Sequence, residues 1–553
     1  MPRPTTLFTL LFTLLFTAAC TTDVTPDPQP DPPAERVAFV GISADVGSLN
    51  QHYARSALDA MVSEPLSLFL VNNDFVDGRL VQQPALAKSW TLAPDGRSLE
   101  LTLRDDNTWH DGAPVRAQDL VFTFGLLFDE QTGSRLARAT ALLEPGGVEA
   151  NDDHSLRFSF VHPVELEEAL GQLGGVVPLP QHLLADVPAD ELRAQPFNRA
   201  PVLNGCWTLE AWVPGTQLDL VARPWGVGAG ACAPQIDRVV FRVLPEYATR
   251  LLELREGRLD ILADVRVQDA AELGREHPEI AFHRRGPRSL VYVGWNQRDV
   301  DGAGPHPLLG QPGVRRALAQ AVDVDAIMAD LFHDPVSGET YARRAVGTIT
   351  PALAGLSTAG IAPLDYDPAA ARAALEALGW ADSDGDGVLD RDGEPFRIDV
   401  LTIASAASRA QVGVYLQADL AKIGVAVDIT SLERTAWMAR ADAGDFDALL
   451  GGWSASLYVD PSSTWHSGPD ARWNWIGYAN PAVDTLIEQG LAAESPERAM
   501  EIWSQLQAEI YQDQPYLFLY WADEIVAVNQ RLQGVKVDIQ APWHGLEGWS
   551  VVE

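Results

Sequence analysis

Cysteine is scarce in this chain, with 3 in 553 residues, too few for a disulfide-stapled scaffold. Positive charge is scarce too: 40 Lys and Arg stand against 76 Asp and Glu, a formal net charge of −36. A field of that sign repels phosphate backbones, so nucleic acid is not an expected partner. The short patterns that mark catalysis are also missing. There is no G-x-S-x-G elbow, no H-E-x-x-H, no phosphate-binding loop and no dinucleotide-binding glycine pattern. The 11 histidines are scattered, and His110 and His466 sit beside tryptophans, where a lone histidine reads as structural. No internal repeat is present. Nothing here argues for an enzyme.

What is present is ordinary globular composition, 46% hydrophobic and 21% charged, in a chain long enough for roughly two to four domains. Sixteen tryptophans supply large core residues and aromatic faces of the kind that line ligand sites. The first residues, "MPRPTTLFTLLFTLLFTAAC", carry Arg3, an apolar run from Leu7 to Phe16 and then small residues. That run is too short to span a membrane and reads as an export signal covering residues 1–19. Thr17-Ala18-Ala19-Cys20 resembles a bacterial lipobox, with Thr17 where leucine is usual. Cys20 is therefore the expected lipidation site, and an ordinary cleaved signal peptide is the alternative. Residues 20–35, rich in Pro and Asp, read as a semi-extended tether. With Cys20 lipidated, Cys206 and Cys232 remain as a pair for a disulfide in an oxidising compartment; two buried thiols are the other reading.

Periodicity supplies the elements. "ERVAFVGI" reads as a first strand. Residues 86–125 read as two strands around an Asp95-Gly96 turn, followed by a helix. "TLEAWVPG", "QLDLVAR" and "IDRVVFRVL" alternate as sheet strands, and "EYATRLLELRE" is a helix stopped by Gly257. Later, Asp367-Pro368 opens a helix with Ala371, Leu375 and Leu378 on its apolar stripe and Gly379 at its end. "RIDVLTI", a helix capped by Ser408 and ended at Gly424, and "VAVDIT" form a strand-helix-strand unit, which implies a parallel crossover in an α/β domain.

Residues 85–124, "ALAKSWTLAPDGRSLELTLRDDNTWHDGAPVRAQDLVFTF", resemble the signature region of family 5 extracytoplasmic solute-binding proteins, the peptide- and nickel-binding receptors of bacterial ABC importers. The matching order is Trp90, Asp95-Gly96, Leu103-Arg104, His110-Asp111-Gly112-Ala113-Pro114 and Asp119. "PVLNGCWTLEAWVPG", "REGRLD", "VYVGWNQ", "PGVRRALAQAVDVDAI", "DYDPAAARAALEALGW", "YLQADLAKIGV" and "GGWSASLYVDP" follow in the family's order. The resemblance implies an α/β, two-lobed periplasmic-binding-protein fold with a two-strand hinge and an extra subdomain inserted in lobe I. Projected on this chain, lobe I is 36–62, 198–290 and 520–553, the insert is 63–197, and lobe II is 291–519. The crossovers then fall near Tyr292–Asn296 and Leu517–Trp521. The implied partners are a small solute, an ABC permease with its ATPase, and the membrane through the lipid anchor. The receptor is expected to be a monomer that performs no chemistry.

The resemblance also frames the ligand. Peptide-binding relatives hold the ligand ammonium with an aspartate three positions after the "G-W" tryptophan; here that position is Ser456. The arginine that dipeptide binders place upstream of Gln417 falls on Ile403, and Arg409, out of register, is expected on a helix surface. Asp460 is a candidate replacement acid. An uncharged or blocked ligand, a longer peptide or an oligosaccharide fits this pattern better than a free dipeptide, and no clustered ligand set points to nickel. The candidate binding residues are Ser43, Asn50, Trp295, Asn296, Gly452, Trp453, Ser456, Tyr458 and Tyr520. No cofactor is required. The stretch "DSDGDGVLDRDGE" at 382–394 matches calcium-loop spacing at Asp382, Asp384, Asp386, the Val388 carbonyl and Asp390, but places Gly393 where the closing acid belongs. It reads either as a structural calcium site or as a metal-free turn. A calcium-stabilised surface lipoprotein with a scaffold role is the alternative from another class.

Overall fold

A computed structural model describes residues 35–224, 232–299, 304–404, 406–469 and 471–552. Expectations for the signal, lipobox and tether fall outside the described residues. One mixed sheet runs through the molecule. Its order is 426–432, 397–403, 448–454, 280–295, 516–529, 261–265, 37–42, 238–243, 217–222 and 207–213. The two long strands in the middle, Ile280–Trp295 and Tyr516–Asn529, are antiparallel neighbours along most of their length and belong to both lobes.

Their partners change along the way. In lobe I, Ile261–Val265 pairs with the C-terminal half of Tyr516–Asn529. In lobe II, Ala448–Ser454 pairs with Ser289–Trp295. Between these halves the pairing of the two long strands skips from Arg285 opposite Glu524 to Ser289 opposite Ala522. Besides a second irregularity between Val291 and Tyr292, opposite Leu519 and beside the projected crossovers, the ladder is interrupted at Gly286-Pro287-Arg288, opposite Asp523. The reason is local: proline has no N–H for the ladder and glycine no side chain to pack, so the regular ladder breaks there.

Lobe II buries both faces of its sheet. Val291, Val293, Val400, Leu416 and Leu420 pack on one side, and Tyr292, Leu449, Trp465, Trp503 and Phe518 on the other. The strands Arg397–Ile403 and Ala426–Leu432 are parallel, with the helix Ala407–Ala421 between them. Ser408 does not cap that helix. Ala406 precedes it with no side chain to accept the first N–H groups, and Ser408 lies in the first turn. The preceding helix starts as its sequence indicates: the Asp367 carboxylate accepts from the Ala370 N–H at 2.8 Å. Lobe I packs its sheet between two further clusters, around Trp543 and Trp549 and around Leu254 and Leu273. A separate four-stranded sheet, Ala87–Leu92, Ser98–Leu103, Ser155–Phe160 and Leu143–Asp152 in spatial order, has its own core with Trp109 and Phe124. Asp119 closes the entrance of the helix Ala117–Phe128 by accepting from the Arg116 N–H at 2.9 Å.

Candidate functional site

The C-terminal ends of the lobe II strands Arg397–Ile403 and Ala448–Ser454 point toward the hinge, as do those of Val37–Ile42 and Ile261–Val265 in lobe I. In open α/β sheets the crevice outside such carboxyl ends is where ligands sit. On the lobe II side a stack of aromatic rings runs from the buried Tyr516 and Tyr292 out to the partly exposed Trp453 and Trp475. Tyr292 lies on Tyr516 with centroids 3.8 Å apart, Trp453 is 6.1 Å from Tyr292, and Trp475 is 5.4 Å from Trp453. The Trp453 Nε1–H donates to the Tyr516 hydroxyl at 3.4 Å. Burial pushes the Tyr516 phenol up to about 12 and that of Tyr292 well above its ordinary value, so both stay neutral. Trp453 and Trp475 remain partly exposed and offer the ligand an apolar face.

Arg409, in the first turn of the helix Ala407–Ala421, is not on an exposed helix surface as expected. Its guanidinium lies over Gly452, where a Cβ would stand only 2.5 Å from a guanidinium nitrogen. Glycine leaves the room that the arginine fills. Burial lowers the Arg409 pKa below its ordinary value, Tyr292 and Tyr520 act the other way, and Arg434 adds repulsion. Among the described residues no carboxylate pairs with Arg409. Nearby, the hydroxyl of the fully buried Tyr520 also has no hydrogen-bond partner, while its ring packs edge-on against Phe332 at 4.8 Å.

The loop after Trp453 crosses to the inserted subdomain. The Tyr458 ring lies 3.6 Å from where a Cβ on Gly171 would stand. Asp460, almost fully buried, pairs with Arg138 and accepts from the Ser462 N–H at 2.9 Å, so it is not available to a ligand ammonium. The exposed Ser456 receives the Tyr458 N–H at 3.1 Å. A second bridge runs from the hairpin Val71–Val76/Arg79–Pro84: the Gly78 carbonyl accepts from the Ala354 N–H at 2.8 Å, and Arg79 pairs with Glu497 at 2.9 Å.

Gly452 and Tyr520 lie in one row of the sheet, both level with Val291, but Tyr520 is buried in the lobe II core; Trp453, next to Gly452, is partly exposed, and Ser43 is exposed just beyond the end of the first strand on the lobe I side. Three further candidates are buried. Asn50 is buried, with its amide donating to Asn198 at 2.8 Å and its carbonyl capping a turn at His52. Trp295 is buried in the lobe II core, and the Asn296 amide donates to the Phe446 carbonyl at 2.9 Å. At ~3.3 Å per residue, Trp295 lies roughly 20 Å beyond Arg288, at the far end of lobe II. A cavity of about 370 Å³ beside Asn296, His306, Asp399 and Asp447 belongs to that far end and not to the cleft. At the cleft edge of lobe I, Asp264 adopts a left-handed backbone (φ +60°) in a bulge and pairs with Arg250 at 3.5 Å, a placement the sequence pattern does not reveal.

Away from the cleft, the carboxylates of Asp382, Asp384 and Asp386 each bring an oxygen within 4.8 Å of the others. Asp382 also accepts from the Gly385 and Gly387 N–H groups, and Asp390 from Ser383. Cys206 and Cys232 form a disulfide with Cα atoms 5.6 Å apart.

A model of the bacterial extracellular solute-binding proteins, family 5 (middle), matches residues 82–475. The chain belongs to this family. Among curated relatives of this family 5 protein, the oligopeptide-binding protein AppA of Bacillus subtilis is 24% identical over 92% of this chain and 90% of its own. The nickel-binding periplasmic protein of Escherichia coli is 24% identical over 89% and 90%. The solved structure of Bacillus subtilis AppA in complex with a nonapeptide superposes with a TM-score of 0.78 at 24% identity, covering 94% of this chain and 100% of that one. Family 5 is a family of binding proteins with the two-lobed fold, and the hinge and cleft described above are its architecture in this chain.

Proposed function

We propose that this family 5 protein is the extracytoplasmic receptor of an ABC importer, which captures a peptide-like solute between its lobes and delivers it to the membrane permease. The observation that carries this reading is the loop 455–461, which leaves the aromatic wall of lobe II and locks onto the inserted subdomain through Tyr458 and Asp460. A solute that touches both lobes favours this closed arrangement and shifts the population toward it. The names of the relatives, oligopeptide-binding and nickel-binding, support a small-solute receptor without fixing its ligand. The protein performs no chemistry itself; it works as a monomer, and ATP hydrolysis at the importer drives transport.

A thermal-shift screen against peptides, oligosaccharides and divalent metals, with product analysis alongside, tests this reading. Stabilisation by peptides without turnover is expected. Stabilisation by oligosaccharides alone transfers the reading to a sugar receptor stacked on Trp453 and Trp475. No ligand of any class would leave a surface scaffold, and turnover would make it an enzyme.

Two further parts of the reading concern the periphery. Export and lipidation at Cys20 anchor the receptor on the extracytoplasmic face; palmitate labelling that survives Cys20→Ser would sink this. The aspartate loop at 382–390 holds a structural calcium ion between Asp382, Asp384 and Asp386, with the Val388 carbonyl and Asp390 as further ligands. Calorimetry should record calcium binding that Asp384→Ala removes, and a silent titration of the wild-type protein assigns the loop to a plain turn.

A further inference from the structure

We propose that the hairpin Val71–Val76/Arg79–Pro84 is a clasp between the lobes, fixed to lobe I beside His544 and seated by its tip on the lobe II turn 350–356. It holds part of the population shut before any solute arrives. The proposal rests on the two-lobed fold and is independent of which solute the receptor takes.

The two strands of the hairpin pair only with each other, and a lone two-stranded hairpin is marginally stable in water. Its order therefore comes from what its faces touch. Successive side chains of a strand point to opposite faces, and Asp74 and Phe75 divide accordingly. Asp74 faces lobe I, with a carboxylate oxygen 3.8 Å from His544 Nε2, while Glu64 stands 3.5 Å from Nδ1 of the same ring. Glu64 raises the His544 pKa to about 9, so the ring is charged at neutral pH and attracts both acids. Trp543 and Trp549, on either side of that histidine in the chain, are buried in the lobe I core and fix its position. Phe75, on the other face, is half-buried against the lobe II cluster that contains Ile349, Leu353 and Trp503. The hairpin is held between the lobes.

The tip is shaped for its seat. Asp77 and Gly78 both take left-handed backbone, φ +50° and +81°, the two-residue turn that follows the twist of its strands. It meets lobe II backbone to backbone. The Gly78 carbonyl accepts from the Ala354 N–H at 2.8 Å. A Cβ on Gly78 would stand 2.9 Å from the Ala354 nitrogen and 3.0 Å from the Ala352 carbonyl oxygen, so only glycine fits. The Arg79–Glu497 pair, exposed on both sides, adds little.

Both surfaces that the hairpin touches are tied to the hinge. On lobe II the Thr350 hydroxyl donates to the Pro287 carbonyl. On lobe I the Arg285 Nε–H donates at 3.0 Å to the carbonyl of Asp538, in the segment that carries His544. Rotation that opens the cleft has to part the hairpin from one of them. None of these contacts involves a solute, so opening is costly even in the empty receptor and the closed state is populated without a ligand.

The test is small-angle X-ray scattering of the purified protein carrying Cys20→Ser, with no solute added, and hydrogen exchange on the same samples. Phe75→Ser and Gly78→Val should each shift the protein to a larger radius of gyration. Phe75→Leu, which keeps the apolar contact, should not. The Ala354 N–H should exchange at least about tenfold more slowly in the parent protein than in Phe75→Ser. A parent protein that scatters no more compactly than Phe75→Ser overturns the proposal. So does an Ala354 N–H that exchanges freely in the parent protein, a measurement that requires no variant to fold. Slower exchange with unchanged scattering overturns it as well, because the hairpin would then sit on lobe II without holding the lobes together. With no solute present, each of these failures leaves the receptor reading untouched.

Discussion

Breaking the Arg138–Asp460 pair isolates the contribution of closure to binding. In the closed arrangement Asp460 is 4% exposed and Arg138 is 55% exposed. Opening the cleft returns both to water, so the relevant cost is that of a half-solvated pair and not of a buried one. Such pairs contribute about 1 kcal/mol, which changes the closed-to-open ratio, and with it the affinity, about fivefold. A double-mutant cycle with Arg138→Ala and Asp460→Ala removes the effect of the Ser462 N–H that Asp460 also holds. Calorimetry with a peptide from the thermal-shift screen should give a coupling of about 1 kcal/mol, and stopped-flow should place most of it in faster release. The unfolding midpoint of the ligand-free protein should hardly move. A coupling indistinguishable from zero, or an equal loss of ligand-free stability, would show that the pair holds the fold together and not the closed state.

Stability should peak near neutral pH. Burial lowers His52 and His110 to about 4, against about 6.5 in the unfolded chain. The unfolded state therefore takes up protons first, and stability is lost as pH falls from about 6.5 toward 4. His544 is raised to about 9, chiefly by Glu64, whose carboxylate lies 3.5 Å from its Nδ1. Its contribution is complete below about pH 6.5 and disappears as pH rises through about 9. Melting curves from pH 4 to 10 should show both limbs, and His544→Gln should flatten the alkaline one; an unchanged alkaline limb rejects the assignment. Replacing Cys206 and Cys232 by alanine releases a loop of 26 residues' separation, a loss of about 3.5 kcal/mol in the chain-entropy model. Urea unfolding that is indifferent to the substitution would contradict it. Gly452→Ala puts a methyl 2.5 Å from Arg409 and 2.9 Å from the Leu290 carbonyl, so titration should find most peptide affinity gone in a protein that still folds.

The elements were legible because their local signals agree with the fold. Asp367-Pro368 starts a helix, the Asp95-Gly96 turn joins two antiparallel strands with Gly96 at φ +67°, and "RIDVLTI" is a strand from end to end. Membership of the family was legible from motifs in order. The cleft was harder to read. A 16-residue strand gives little sign in its sequence of where its ladder is interrupted beyond Gly286-Pro287, and the burial of Trp295 and Asn296 depends on packing that the strand pattern does not show. Arg409 was set aside because its register differs from that of the relatives' arginine; where its long side chain lies against Gly452 is something spacing cannot tell. Asp460 needed a partner more than three hundred residues away, in a different subdomain.

The position of strand Tyr516–Asn529 at the centre of the shared sheet bears on how the chain matures. Lobe I cannot join Ile261–Val265 to Ile280–Trp295 until this strand arrives, and it is among the last segments to be synthesised. The protein thus emerges with a long interval in which its N-terminal half has unpaired strand edges, the condition that favours misassembly and chaperone capture. A chain cut at Pro515 is left with two sheet fragments and no strand to join them. Lobe I therefore completes its sheet only when nearly the whole length of the chain is available.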